Sequence, residues 1–320
     1  MAYSPILITV YNRYYHLKQC IESLLSCPEA KHSTLYIAID APASPEDAPA
    51  VTKVQNYVES IRGFQNIIII KRDSNIGAEK NSQLATTQVF GNHDTIIRLE
   101  DDVIVGKGFL NFINQGLRDY KHHPSVVGVC GYLPPGIKHP YGKPFFLNRI
   151  APYGWGRWKK KEVKLTSKMN PQTIRSYFTS FRFFREYEGH SPHSARAIPL
   201  LINGDMMPKD IATGIIMQAN NWTALYPPES ITKTIGNDGS GLHSGFNKSL
   251  QNQEISDEIF NIPKNLPVTV DIEAAEKVAA YRRAPGIKYL NYLIFLSITY
   301  LPTTYRLYTL ARNVVSRIRK

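Results

Sequence analysis

The chain has 320 residues, 43% hydrophobic and 20% charged, which suits one large α/β body or two smaller ones and excludes both global disorder and an all-membrane protein. Its formal net charge of +12 is uneven, because residues 282–320 carry eight Lys or Arg and no acid. Three cysteines, Cys20, Cys27 and Cys130, with no CxxC pair and no zinc-like spacing, imply neither a disulfide framework nor a structural zinc, and a reducing compartment fits.

The N-terminal stretch through Val10 lacks the basic n-region and small-residue cleavage site of a signal peptide, so it reads as a first strand and export is not expected. Short β-branched runs at Ile6–Val10, Leu35–Ile39, Asn66–Ile70 and Thr95–Leu99 alternate with amphipathic stretches at about Tyr14–Leu25, Ala48–Ile61 and Ala78–Phe90. That alternation predicts βαβ units and an α/β fold with a mostly parallel sheet flanked by helices. A helix at Phe109–Asp119 and a strand at Val126–Tyr132 continue the body. The Pro-, Gly- and aromatic-rich segment Leu133–Trp158 reads as a long loop or lid, followed by the basic run Lys159-Lys160-Lys161. Surface helices are expected over 162–200, another helix over Asp210–Asn220 and a Gly-rich loop over Thr234–Ser244.

Each of the first four strands ends in a polar cluster: Tyr11-Asn12-Arg13, Asp40-Ala41-Pro42, Arg72-Asp73-Ser74-Asn75 and Glu100-Asp101-Asp102. In an open parallel sheet, ligands bind at the carboxyl ends of strands; helix caps and turns are the alternative for any one cluster. Three adjacent acids after an apolar strand repel one another and call for a cation. Mg²⁺ or Mn²⁺ takes one or two carboxylates and completes its shell with water and phosphate oxygens, which suits a nucleoside diphosphate leaving group.

In chain order, Pro5 to Arg13, Arg72 to Gly77, Leu99-Glu-Asp-Asp-Val103 and Gly154-Trp-Gly-Arg-Trp158 resemble GT-A fold glycosyltransferases. Within these the chain is similar to bacterial family-2-like enzymes and to the N-acetylglucosaminyltransferase I type, over roughly residues 4–245. The resemblance implies a Rossmann-like nucleotide-sugar-binding half over 1–132, an acceptor and lid half over 133–265, and an extension over 266–320. It implies that Tyr11, Asn12 and Arg13 lie along the nucleotide, that Asp40 hydrogen-bonds the base or ribose, and that Arg72, Asn75 and Gly77 continue that pocket. Glu100 and Asp101 would reach sugar and ribose hydroxyls, and Asp102 would ligate the metal.

An inverting member needs a general base; Asp210 at a helix start and Asp205 are the two candidates, with a helix-dipole role as the alternative for Asp210. Some relatives carry Asp-Ser-Trp where Met207-Pro208-Lys209 stands here, so the choice stays open. His243 is a candidate second metal ligand, with a surface loop residue as the alternative. Trp155 and Trp158 are candidates for stacking on an acceptor sugar, one of the two being expected instead to anchor the loop.

The apolar stretch Tyr289–Leu301 is shorter than the about 20 residues a spanning helix needs. With the amphipathic, arginine-bearing stretch that follows, it predicts a helical tail lying on an anionic membrane surface. The expected function is metal-dependent transfer of a sugar from a UDP- or GDP-sugar to a glycan acceptor, lipid-linked, at the inner face of the cytoplasmic membrane. The rivals are a nucleotidyltransferase of sugar-nucleotide metabolism, disfavoured by the missing Gly-rich phosphate loop after the first strand, and a non-catalytic basic binding protein. Nucleic acid is not an expected partner, because the positive charge is gathered at the tail.

Overall fold

The computed structural model describes residues 3–190, 197–204, 207–240 and 247–281, and within the tail 296–297, 300–301, 303–307 and 309–310; the side chains of 189, 190 and 248 are outside that description. Asp205, His243 and most of the predicted tail helix therefore lie outside the described residues. The chain forms two compact units, 1–163 with 223–271, and 164–222 with 272–320.

The first unit is built on strands β1 (Ile6–Val10), β2 (Thr34–Ile39), β3 (Asn66–Lys71), β4 (Thr95–Glu100), β5 (Val103–Val105), β6 (Val126–Cys130), β7 (Phe145–Leu147), β8 (Trp155–Trp158), β9 (Thr223–Tyr226) and β10 (Thr232–Thr234). Helices α1 (Tyr14–Leu25), α2 (Ala48–Ser60), α3 (Ala78–Asn92) and α4 (Phe109–Asp119) connect the earlier strands. Eight strands form one sheet in the order β3-β2-β1-β4-β8-β6-β9-β7, and β5 pairs with β10 in a separate antiparallel ribbon. Contacts of β1 with β2, β2 with β3, β1 with β4 and β6 with β9 are parallel; β8 and β7 run against their neighbours.

Period-two side-chain alternation divides the core into two layers. Ile6, Ile8 and Val10 of β1, Leu35, Ile37 and Ile39 of β2, and Ile97 and Leu99 of β4 face one way, onto α1, α2 and α4. Leu7, Tyr36, Ala38 and Ile96 face the other way, onto Ala85, Val89 and Phe90 of α3. Because both faces are covered, the central strands read as continuous apolar runs.

Most of the segment expected to be a long loop or lid is loop, but Phe145–Leu147 and Trp155–Trp158 are strands of the sheet. Strand β8 lies in its middle, pairing with β4 and β6. Its Gly156 lets α4 press onto the strand: a Cβ there would lie 2.6 Å from Ile113 Cγ2 and 2.9 Å from Leu117 Cδ1.

The basic run after β8 divides between solvent and interior. Helix α5 (Lys159–Thr166) leaves Lys159 and Lys160 exposed. Lys161 turns inward, its ammonium donating to the carbonyls of Tyr120 at 2.8 Å, His123 at 3.1 Å and Val126 at 2.6 Å, 3.6 Å from the ring centre of Trp158. One cation thus satisfies carbonyls at the end of α4 and the start of β6. Lys161→Met is expected to cost about 3 kcal/mol by stranding those acceptors, whereas Lys159→Met should change stability by less than about 0.5 kcal/mol; urea unfolding of the two variants checks the contrast.

The second unit is helical. It contains α6 (Pro171–Tyr177), α7 (Phe181–His190), α8 (Ile198–Asn203) and α9 (Lys209–Ala219), and, beyond the short α10 (Lys248–Gln251) of the first unit, α11 (Ile272–Tyr281). Its core gathers Ile174, Phe178, Phe184, Tyr187, Ile198, Leu201, Ile202, Ala212 and Ile215. Among the described residues no helix is long and apolar enough to cross a membrane.

Candidate active site

The strand order places a topological switch point between β1 and β4. From β1 the chain moves outward through β2 to β3, then returns to the opposite side of β1. The carboxyl ends of β1 and β4 therefore flank the crevice where open α/β sheets bind ligands. Arg13 leaves the first and Glu100-Asp101-Asp102 the second.

These two ends meet directly. The Arg13 guanidinium pairs closely with Asp101 Oδ1 through Nη2, reaches Asp101 Oδ2 through Nε at 3.2 Å, and reaches Asp102 Oδ2 at 3.1 Å. Asp101 is 5% and Asp102 6% exposed, while Oδ1 of Asp102 is buried with no hydrogen-bond partner among the described residues. Desolvation pushes the Asp101 carboxyl up to about 6 against the pull of Arg13. Crowding by neighbouring atoms, then repulsion from Asp102, push Glu100, whose side chain reaches the surface, up to about 7, with Arg98 opposing. Three carboxyls thus share one corner, with a single guanidinium bridging Asp101 and Asp102.

A second segment closes over Asp102. Beyond β10, Ile235 N–H donates to the Asp102 carbonyl at 2.9 Å, and Gly236 packs so tightly that a Cβ would lie 1.8 Å from Asp102 Oδ2 and 3.0 Å from Arg13 Nη1. Asp238 then meets Nε2 of His16 at 3.1 Å. Hydrogen bonds from the Ser240 hydroxyl and N–H, with a smaller contribution from His16, hold Asp238 down at about 2. Arg13 and His16 lie three residues apart at the start of α1, the spacing that puts side chains on one helix face.

The other expected nucleotide contacts form a group at the ends of β2 and β3. Asp40, 3% exposed, accepts from Ala41 N–H at 3.0 Å and Ile76 N–H at 3.1 Å through Oδ1, and from Gly77 N–H at 2.8 Å through Oδ2. Asn75 donates to the Ala41 carbonyl at 2.7 Å. In this structure the pair ties the β2 end to the turn before α3, which Gly77 enters with φ +81. Arg72 Nε donates to Asn81 at 2.9 Å, Asn81 donates to the Ala38 carbonyl at 3.2 Å, and Nη2 of Arg72 is buried without a partner among the described residues. The Tyr11 hydroxyl accepts from Ala43 N–H at 2.8 Å. Asn12 is half-buried beside it.

Trp155 and Trp158 are strand residues of β8. Trp158, 3% exposed, donates its indole N–H to the Leu117 carbonyl at 2.9 Å and anchors α4. Trp155, 9% exposed, has the Arg157 guanidinium 4.3 Å and the Arg98 guanidinium 5.4 Å from its ring centre. Asp210 is exposed in the first turn of α9, in the second unit. Among the described residues no three His, Cys, Asp or Glu side chains converge as a metal cage.

His16, Asn81, Gly236 and Asp238 join the site without having been singled out from sequence. Only Asp238 and Gly236 had a signal, lying in the Gly-rich stretch after Ile235; His16 and Asn81 are ordinary helix positions until their partners are known.

No family model matches the chain, and no curated protein matches it. Among solved structures it is similar to TarS of S. aureus, at 11% identity and TM-score 0.40, over 71% of this chain and 36% of that one. It is similar to a mannosyltransferase of Pyrobaculum calidifontis in complex with GDP-Man and Mn²⁺, at 10% identity and TM-score 0.40, over 68% of this chain and 70% of that one. It is also similar to GalNAc-T7 with UDP, GalNAc and Mn²⁺, at 10% identity and TM-score 0.46, over 73% of this chain and 44% of that one. The chain thus matches well under half the length of two of the three.

Proposed function

We propose that the chain is a metal-dependent glycosyltransferase that moves a sugar from a UDP- or GDP-linked donor to a glycan acceptor. The observation that carries this reading is the carboxylate cluster at the β1/β4 switch point, with its buried and unpartnered Asp102 Oδ1. That donor set fits one Mn²⁺ or Mg²⁺, which needs only one or two protein carboxylates when phosphate and water complete its shell. Asp102 would hold the ion, with His243 as the proposed second ligand. When bound, the ion offsets the negative charge that grows on the departing diphosphate.

The chain's own residues do the rest. Tyr11, Asn12 and Arg13 line the nucleotide, and Asp40, by fixing the turn at Ile76 and Gly77, shapes the pocket that Asn75 and Arg72 continue. Glu100 and Asp101 receive hydroxyl groups of the donor. Asp210 or Asp205 removes the proton of the acceptor hydroxyl as its oxygen attacks the anomeric carbon, inverting the configuration. Trp155 is the remaining aromatic candidate for acceptor contact, since Trp158 is committed to α4. The acceptor is a lipid-linked surface glycan, and the basic extension 266–320 holds the protein peripherally on the inner face of the cytoplasmic membrane.

Thermal unfolding with UDP, GDP and their sugars, each with and without Mn²⁺, tests the donor site. The wild type should be stabilised by nucleotide and Mn²⁺ together, by about 2.7 kcal/mol at a hundredfold excess over Kd. Asp102→Ala should show no metal-dependent part. A wild type whose response to every nucleotide ignores the metal overturns the assignment.

A further inference from the structure

The feature that the proposed function leaves unexplained is the position of Arg13. Its guanidinium touches both Asp101 and Asp102, so a positive charge sits on the carboxylates that a divalent ion would use. It is one-fifth exposed, against less than a tenth for each aspartate side chain. It therefore has a way out toward solvent that they lack.

We infer that Arg13 is an exchangeable internal cation, which holds the aspartate pair closed to a free metal ion and moves to the diphosphate when metal and nucleotide arrive together. This rests on the donor-site reading given above. A dication and a guanidinium cannot both approach Asp102 closely, because like charges at that range repel strongly in a site with little water. Displacing Arg13 into solvent loses a close, charge-assisted fork with Asp101. Displacing it onto a diphosphate replaces that fork with another, since guanidinium matches carboxylate and phosphate geometry alike. Arg13 also immediately precedes α1, where the orphan N–H groups of a helix start favour an anion.

Two consequences follow. The metal alone binds weakly, because it must evict Arg13 with nothing to receive it. Metal and nucleoside diphosphate bind with positive coupling, and by linkage each raises the affinity of the other by the same factor. Asp102 Oδ1, buried and unpartnered, is the atom kept in reserve for the ion. Gly236 packs against Asp102 Oδ2 and Arg13 Nη1, so backbone closes that side of the pair.

The test is Mn²⁺ binding to the full chain, followed by the loss of free-ion electron paramagnetic resonance signal, without turnover. Wild type, Arg13→Met and Arg13→Lys are titrated with Mn²⁺ alone and with GDP or UDP present. Arg13→Met should bind Mn²⁺ alone at least tenfold more tightly than wild type, and the enhancement of Mn²⁺ binding by nucleotide should shrink by a similar factor. Mn²⁺ alone should also raise its melting temperature while barely moving that of the wild type.

Arg13→Lys keeps the charge but cannot fork, so it should fall between the two, and it decides the matter if the methionine variant does not fold. The inference is overturned if the wild type binds Mn²⁺ with nucleotide while neither variant binds Mn²⁺ alone more tightly than it does. If the wild type binds no Mn²⁺ even with either nucleotide, the donor-site reading fails and the inference with it.

Discussion

Asp102→Asn is expected to lose metal-dependent sugar transfer by about 10³-fold while unfolding at a higher urea concentration than the wild type. The two effects have one cause. Asp102 raises the cost of charge on both Glu100 and Asp101, is itself buried, and has one oxygen with no partner. Asparagine keeps the shape and an oxygen for Arg13 but removes that repulsion. A site that is less stable folded than its neutral analogue is the usual sign of residues kept for chemistry. A variant that loses both activity and stability would assign Asp102 a structural role instead.

Gly236→Ala should damage the carboxylate cluster directly. The added methyl would start 1.8 Å from Asp102 Oδ2 and 2.8 Å from its Cγ, so either the aspartate or the strand continuing from β10 has to move. The latter is held by the Ile235 hydrogen bond to the Asp102 carbonyl. Overpacking of this kind costs about 1–3 kcal/mol, and here it falls on the proposed metal ligand, so Mn²⁺-dependent nucleotide binding should weaken by more than tenfold. Gly91→Ala is the control: that glycine lies in α3 with nothing within 4 Å of a built Cβ, and alanine there should leave stability equal or slightly higher. Denaturation and nucleotide titration of both variants separate the steric effect from a general intolerance of glycine replacement.

Much of the first hundred residues was legible because each element carries one clean period. Strand β1 and helix α1 fall where the β-branched run Ile6 to Val10 and the spacing of Leu17, Ile21 and Leu24 put them. Three adjacent acids after an apolar strand were equally visible. Strand β8 was hidden because it is four residues long, holds Gly156 and is flanked by Gly154; its signal is the close approach of α4, which only the fold supplies. The His16 contact with Asp238 joins positions 222 residues apart, and no local pattern announces a partner at that distance. Asp40 was singled out as an expected nucleotide contact, but that its oxygens accept three backbone N–H groups depends on the turn at residues 76 and 77.

The place of β8 in the sheet also orders events during synthesis. Strands β1 to β4 come from the first hundred residues and can pair as soon as they are made, but β4 then presents a bare edge until Trp155–Trp158 exist to cover it. Uncovered edges invite pairing with other chains. The nascent edge carries Arg98 and Glu100 at its distal end, and charges on an unavoidable apolar strand act as gatekeepers against such pairing. Glu100 of the carboxylate cluster and its neighbour Arg98 thus shield the half-made sheet until β8 joins it.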